Sequence, residues 1–313
     1  MGRPRGPRKP PAQKKPPLTH FLCLPLVTKE SRPQLEAAIA KFKNDVCPQD
    51  SSTEAKAEEA AEHDRETVLP TIHPKAVRPV GALHCTLGVM SLDRDKLTEA
   101  VEYLEGIDIA GMLRDVASKS ATTDEPASDA GASERSTLDR PISLPSLDRP
   151  KPFVVDLKGL TSMHSPEKTS ILYSAPNDAS ERLRPFCLRI QQTFKDKGFL
   201  VEDNRDLKLH ATVVNTIYSK GKRRPGRRPP SSQTAGTSGG QGDQPQGHGP
   251  NANAPLKIDA TAILEKYKDF VWAEQVMLDR VAICEMGAKK MTDDSGNIVD
   301  EVYTEIASVA LPT

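Results

Sequence analysis

Residues 207–216 read LKLHATVVNT. From Leu207 to Val213 apolar and polar side chains alternate, the period-two signature of a strand with one buried face. Leu207, Leu209, Ala211 and Val213 share that face, and His210 and Thr212 point the other way. The polar pair therefore does not interrupt the strand; it occupies the strand's second side. Residues 83–89, LHCTLGV, repeat the pattern: Leu83, Cys85, Leu87 and Val89 fall on one face, His84 and Thr86 on the other.

Around each of these strands the same kind of local structure recurs. THFLCLPLV (19–27) reads as a strand that Pro25 confines to an edge or to a strand end. PQLEAAIAKFKNDV (33–46) follows, with Leu35, Ala38, Ile39, Phe42 and Val46 on one helical face and Pro33 in the first turn. After LHCTLGV, Leu97, Val101 and Leu104 mark a helix that Asp93 caps. In the second half FVVDLKGL (from 153) predicts a strand and a turn, and ILYSA (171–175) another strand. Leu183, Phe186, Cys187, Ile190 and Phe194 predict a helix closed by Gly198. The strand containing His210 comes next. A short helix near 259–269, a strand near 275–286, a polar turn at Gly296 and a strand near 302–310 complete the series. Strands and helices mix without strict βαβ alternation, so the class is α+β. Strand, helix and His-bearing strand occur once in each half, a faint two-fold echo.

The segments between are of different composition. The chain has 313 residues, 36% hydrophobic and only 4% aromatic, with 27 prolines. Part of it is therefore expected not to pack. Residues 1–17 hold six basic residues and no acid, and are expected to form a disordered tail. Low-complexity insertions are expected at about 49–75, 119–150 and 220–255. What remains, within 18–313, suits a single compact domain. Formal net charge is zero, so bulk charge names no partner. The clusters do speak: KGKRRPGRR (220–228) and the basic tail suit either phosphate contact or a nuclear localisation signal. The five cysteines show no zinc or redox spacing, and Cys23, Cys85 and Cys284 lie in apolar runs. That pattern points to a reducing compartment. FLCLPLV is too short to span a membrane, and no secretory signal is evident at the N-terminus.

Two His/Thr faces that met across a cleft would carry a definite chemistry. Histidine alone titrates near neutrality, so a pair supplies one general base and one general acid. Two threonine hydroxyls donate to the non-bridging oxygens of a phosphate. Together they suit metal-free cleavage of a phosphodiester. Against this stand an incidental His-x-Thr in a strand, which chance provides often, and a metal site, which lacks a third ligand at recognisable spacing. Lys208 shares the face of His210 and is a candidate for added cleft charge, or simply a solvated lysine at a strand end. No cofactor is expected.

HCTL (84–87) and HATV (210–213) resemble the two H-x-T-hydrophobic motifs of the two-histidine (2H) phosphoesterases, the LigT-like superfamily. THFLCLPL, LHCTLGVM and LKLHATVVNTIYSK are similar to the domain shared by A-kinase anchoring protein seven and subunit one of the activating signal cointegrator complex. The Asn-Thr pair after the second motif brings the sequence nearest to the cointegrator subunit. The resemblance implies a bilobal, pseudo-two-fold fold with antiparallel sheets lining a central cleft. It implies His84 and His210 as the catalytic pair and Thr86 and Thr212 as the phosphate-binding hydroxyls. It implies RNA or nucleotide phosphodiester substrates, with 2′,3′-cyclic phosphate or 2′-5′ linkages. It also implies a nuclear address, with the cytoplasm as a second location, and cointegrator or helicase complex subunits as partners. The expected departure is the RNA-binding KH domain of the cointegrator subunit: a short basic tail stands before the first strand, with no KH-type GXXG loop. A non-catalytic RNA-binding or adaptor subunit is the alternative function.

Overall fold

The computed structural model describes residues 16–48, 69–121, 151–219 and 255–313. The basic tail up to residue 15, KGKRRPGRR and most of each expected insertion lie outside the described residues. In the described part of the first insertion, 69–75, Ile72 is buried while Thr71, His73, Pro74 and Lys75 are exposed.

In chain order the first half holds β1 (His20–Pro25), α1 (Arg32–Val46), β2 (His84–Met90), α2 (Arg94–Glu105) and α3 (Ile109–Ala121). The second half holds β3 (Phe153–Ser162), β4 (Ile171–Asn177), α4 (Leu183–Asp196) and β5 (Ala211–Asn215). After them come α5 (Thr261–Lys266), β6 (Val271–Leu278), β7 (Arg280–Glu285), β8 (Lys289–Thr292), β9 (Ile298–Val302) and β10 (Glu305–Ala310).

Eight strands form one antiparallel sheet in the order β10-β7-β1-β2-β5-β4-β3-β6. The order reads symmetrically about its centre. On one side β2 is followed by β1, β7 and β10; on the other β5 is followed by β4, β3 and β6. Strand–helix–strand units β1-α1-β2 and β4-α4-β5 correspond, so the two-fold echo of the sequence is a real division into two lobes. They meet in the sheet through one residue pair, Cys85 with Ala211.

The helices form where the periodicity predicts them because each buries one apolar stripe. All five residues of the α1 stripe and all five of the α4 stripe are buried. The Asp93 carboxylate caps α2 by accepting from the Lys96 amide at 2.9 Å, and Gly198 takes the left-handed conformation past the end of α4 with φ 72°. Pro25 ends β1, an interior strand, so it marks a strand end and not an edge. Alternate strand residues such as Leu22, Leu24, Cys85, Leu87 and Val213 join the helix stripes in the main core. On the other face Phe21, Cys23, Ala282 and Cys284 form a second, small cluster.

Several expectations need correction. The segment near 275–286 is not one strand. It breaks at Asp279, and its parts lie in different lobes: β6 pairs with β3, β7 with β1 and β10. One residue bridges strands from opposite halves of the sheet order. With consecutive Cα atoms only about 3.8 Å apart, the sheet must curl to bring them together. FVVDLKGL contains no turn. Gly159 adopts φ 74° inside β3, where a Cβ would come within 2.7 Å of the Lys268 carbonyl, and the strand continues past this bulge to Ser162. α3 and the hairpin β8–β9 were not predicted from the sequence; α3 buries Ile109, Leu113 and Val116. Cys23 and Cys284, 261 residues apart in sequence, lie with their sulfurs 3.8 Å apart as free thiols.

Candidate active site

The lobe joint builds the site. β2 and β5 run antiparallel with Cys85 opposite Ala211. In that register His84 stands across from Thr212, and Thr86 across from His210. Cys85 and Ala211 point into the core, each almost wholly buried, so their four polar neighbours emerge together on the other face. Directly opposed side chains on an antiparallel pair start about 5 Å apart at Cβ. His84, Thr86, His210 and Thr212 accordingly line one pocket of about 190 Å³.

His210 itself lies one residue before β5, and residues 207–210 are extended without ladder pairing. Leu207 and Leu209 still pack on the core, so the alternation survives the loss of the strand. The predicted parity fails at one place in β2. The β1–β2 register shifts between Leu22 and Cys23, opposite Thr86 and Gly88. Past that bulge Val89 lines the pocket, on the side opposite to the one predicted. Gly88 fits there because a Cβ would meet Leu200 at 2.6 Å.

Both imidazoles are oriented by the same device. The Nδ1–H of His84 donates to the Ala82 carbonyl at 2.9 Å, and that of His210 to the Lys208 carbonyl at 2.7 Å. A carbonyl only accepts, so the proton sits on Nδ1 in each ring and Nε2 is left for chemistry. In His84, Nε2 lies 3.1 Å from the Thr86 hydroxyl. Phe21 and Tyr303 enclose that ring, with centroids 4.8 and 5.1 Å away. This burial pushes the His84 pKa down to about 4; the Ala82 carbonyl opposes the shift, and the charges of Arg78 and His210 reinforce it. His84 is therefore neutral at pH 7, with a lone pair on Nε2. The adjacent Cys85 thiol is driven up to about 12 by burial, so it stays protonated and unreactive.

Lys208 does not join the pocket. It is exposed, and its ammonium sits 4.7 Å from the centre of the Tyr173 ring, which also packs edge-on against His210 at 5.4 Å. Other residues line the pocket without having been expected there, among them Phe21 on β1, Arg78, Asn215 at the end of β5, Tyr218 and Tyr303. Burial pushes the Tyr303 phenol up to about 12, with Tyr218 adding to the shift and Arg78 opposing it. These residues come from four separate parts of the chain; Phe21, Asn215 and Tyr218 fall inside the stretches that carry the resemblance, Arg78 and Tyr303 outside them.

Residues 18–303 match the model of the AKAP7 2′5′ RNA ligase-like domain. The chain belongs to that family. Two curated relatives are similar over shorter stretches. The uncharacterised protein C15D4.13c of Schizosaccharomyces pombe is 26% identical over 162 residues, 51% of this chain and 59% of that protein. Activating signal cointegrator 1 complex subunit 1 of Mus musculus is 32% identical over 80 residues, 25% of this chain and 22% of that protein. The chain thus spans less than two thirds of the length of either. Among solved structures, E. coli LigT complexed with 3′-AMP aligns over 95% of this chain and 99% of its own, at 11% identity and TM-score 0.38. TT0787 of Thermus thermophilus aligns over 94% and 98%, at 12% identity and TM-score 0.39. The 2H phosphoesterase family, read from two short motifs, is the family of residues 18–303.

Proposed function

We propose that this protein is a phosphodiesterase that opens RNA-related phosphodiesters, 2′,3′-cyclic phosphates or 2′-5′ linkages, by paired-histidine acid–base catalysis. One observation carries the reading: a single antiparallel residue pair brings two His/Thr faces into one pocket, each imidazole with Nδ1 tied back, and the Nε2 of His84 accepts from Thr86 until substrate takes that hydroxyl's proton. Membership of the 2′5′ RNA ligase-like family supports the substrate class.

The chemistry follows from the atoms present. His84, neutral and with its Nε2 lone pair in the pocket, takes a proton from the attacking water. The water oxygen bonds to phosphorus, and one bridging P–O bond breaks. His210, entering the step as the imidazolium with a second proton on Nε2, delivers that proton to the leaving ribose oxygen, so a cyclic phosphate ends as a phosphomonoester and a hydroxyl, with the water's proton left on His84. Thr86 and Thr212 donate to the non-bridging oxygens as charge builds there.

The test is turnover of 2′,3′-cyclic nucleotides and 2′-5′ oligoadenylates by purified protein in EDTA. His84→Ala and His210→Ala are each expected to abolish it. Unchanged turnover in either variant refutes the mechanism. A nuclear address and a cointegrator partner belong to the same proposal. The partner rests on the aligned 80 residues of the mouse cointegrator subunit, the address on the basic clusters of the sequence. A pull-down from nuclear extract that recovers no cointegrator or helicase subunit counts against them.

A further inference from the structure

Among the described residues the pocket holds one permanent charge. Among its lining residues there is no carboxylate and no lysine, and Arg78 is the sole arginine. Its side chain is 6% exposed. The main chain around it is pinned to the second motif's strand: the Arg78 amide donates to the Val213 carbonyl at 2.7 Å, and Val77 bridges to Val214. Six residues later the chain reaches His84, so Arg78 stands where the two motifs are tied together. Its guanidinium carbon lies over the Tyr218 ring, 4.0 Å from the centroid. The Glu301 carboxylate is 3.9 Å away, an ion pair too long for a hydrogen bond.

A guanidinium has five N–H donors. Among the described residues, every buried side-chain nitrogen and oxygen has a hydrogen-bond partner. The Tyr303 hydroxyl is one partner of the guanidinium; any Arg78 donor left without a protein partner touches solvent, and Arg78 lines the pocket. A desolvated cation facing two hydroxyls and two imidazoles calls for an anion. A phosphodiester carries one negative charge shared by two oxygens, the geometry that an arginine fork matches bidentately.

We propose that Arg78 is a third catalytic element of this site, binding the non-bridging oxygens of the substrate phosphate and supplying the pocket's fixed positive charge. The word catalytic rests on the phosphodiesterase reading; the anion contact does not. Tyr218 holds the guanidinium plane from one side and Glu301 steadies it from another, so the fork is oriented before substrate arrives.

Inorganic phosphate is the probe, titrated by calorimetry into wild type, Arg78→Met, Arg78→Lys and the His84→Asn/His210→Asn double variant. Turnover of 2′,3′-cyclic AMP is measured alongside. Arg78→Met is expected to weaken phosphate binding by about ten- to a hundredfold, the range of a charged hydrogen bond. Arg78→Lys, which keeps the charge and loses the fork, should recover part of it. The double histidine variant should bind phosphate within about threefold of wild type while losing turnover, since it keeps the guanidinium contact. Phosphate binding by Arg78→Met equal to wild type, or none by wild type itself, overturns the assignment. If Arg78→Met does not fold, the guanidinium Nε–H resonance of Arg78 in wild type, identified by its absence from the Arg78→Lys spectrum, must shift and saturate with phosphate; a fixed resonance overturns it equally. The two readings fail separately. Phosphate binding through Arg78 without turnover sinks the reaction and leaves the anion site. Turnover undiminished in Arg78→Met sinks Arg78 and leaves the reaction.

Discussion

Replacing His84 with asparagine removes a titration that couples the candidate active site to the stability of the fold. The imidazole is enclosed by Phe21 and Tyr303, and burial lowers its pKa from an ordinary 6.5 to about 4. In the unfolded chain the same group titrates near 6.5. Between those values the unfolded state binds the proton and the folded state does not. Stability from this residue is therefore complete above pH 6.5, is lost as pH falls toward 4, and changes no further below that. At pH 4.5 the loss relative to pH 7 works out to about 2.5 kcal/mol, a large share of the stability of an ordinary domain. Urea unfolding of wild type and His84→Asn at pH 7 and pH 4.5 measures it. Other groups that titrate in this range, including His20, whose pKa burial also lowers, occur in both proteins and cancel. The wild type should lose about 2.5 kcal/mol more than the variant between the two pH values. Equal losses within about 0.5 kcal/mol, the scatter expected of independent sites, would show that His84 titrates normally and that its neutrality at pH 7 is not built by burial.

Other outcomes are expected from particular contacts. Thr86→Val and Thr212→Val keep side-chain shape and remove a donor, so each should lower turnover of a cyclic phosphate about a hundredfold, with phosphate oxygens left unbound; full activity in either would remove that threonine from the phosphate site. Gly81→Ala places a Cβ 2.6 Å from Asp300 and Val302 and 2.9 Å from the Glu301 carbonyl. It should cost about 1–3 kcal/mol in urea unfolding by forcing β9 away from the turn before His84; an unchanged midpoint would refute the close packing. Phe42→Ala empties a fully buried site among Tyr267 and Trp272 and should cost about 3–5 kcal/mol, read as a lowered unfolding midpoint with the slope unchanged.

The sequence alone determined the parts of this protein whose physics is local. A period of two exposes His84, Thr86, His210 and Thr212 against buried neighbours, whatever the strands pair with. A period of 3.6 declares the stripes of α1 and α4, which are buried in full. The repeated His-x-Thr pattern was enough to point to the family, because two matching polar faces have little use unless they meet. Even there the local rule had limits: it misplaced Val89, since one extra residue in a strand reverses everything beyond it, and that insertion shows only against a partner strand.

What only the tertiary structure decided is which distant pieces share a surface. Lys208 has the right parity for the cleft, yet it rests on the Tyr173 ring and does not line the pocket. Arg78 sits in a stretch with no periodic signal, and becomes the pocket's one fixed charge because its amide is hung on β5. Tyr303 and Phe21 wrap His84 from opposite ends of the chain. Asp279 carries the chain from one lobe to the other within a single residue, a step that hydrophobic pattern cannot encode. Periodicity records which side of an element is buried. Electrostatics and the pKa of a buried imidazole depend on every group within several ångströms, and those neighbours are chosen by the sheet order and its curl.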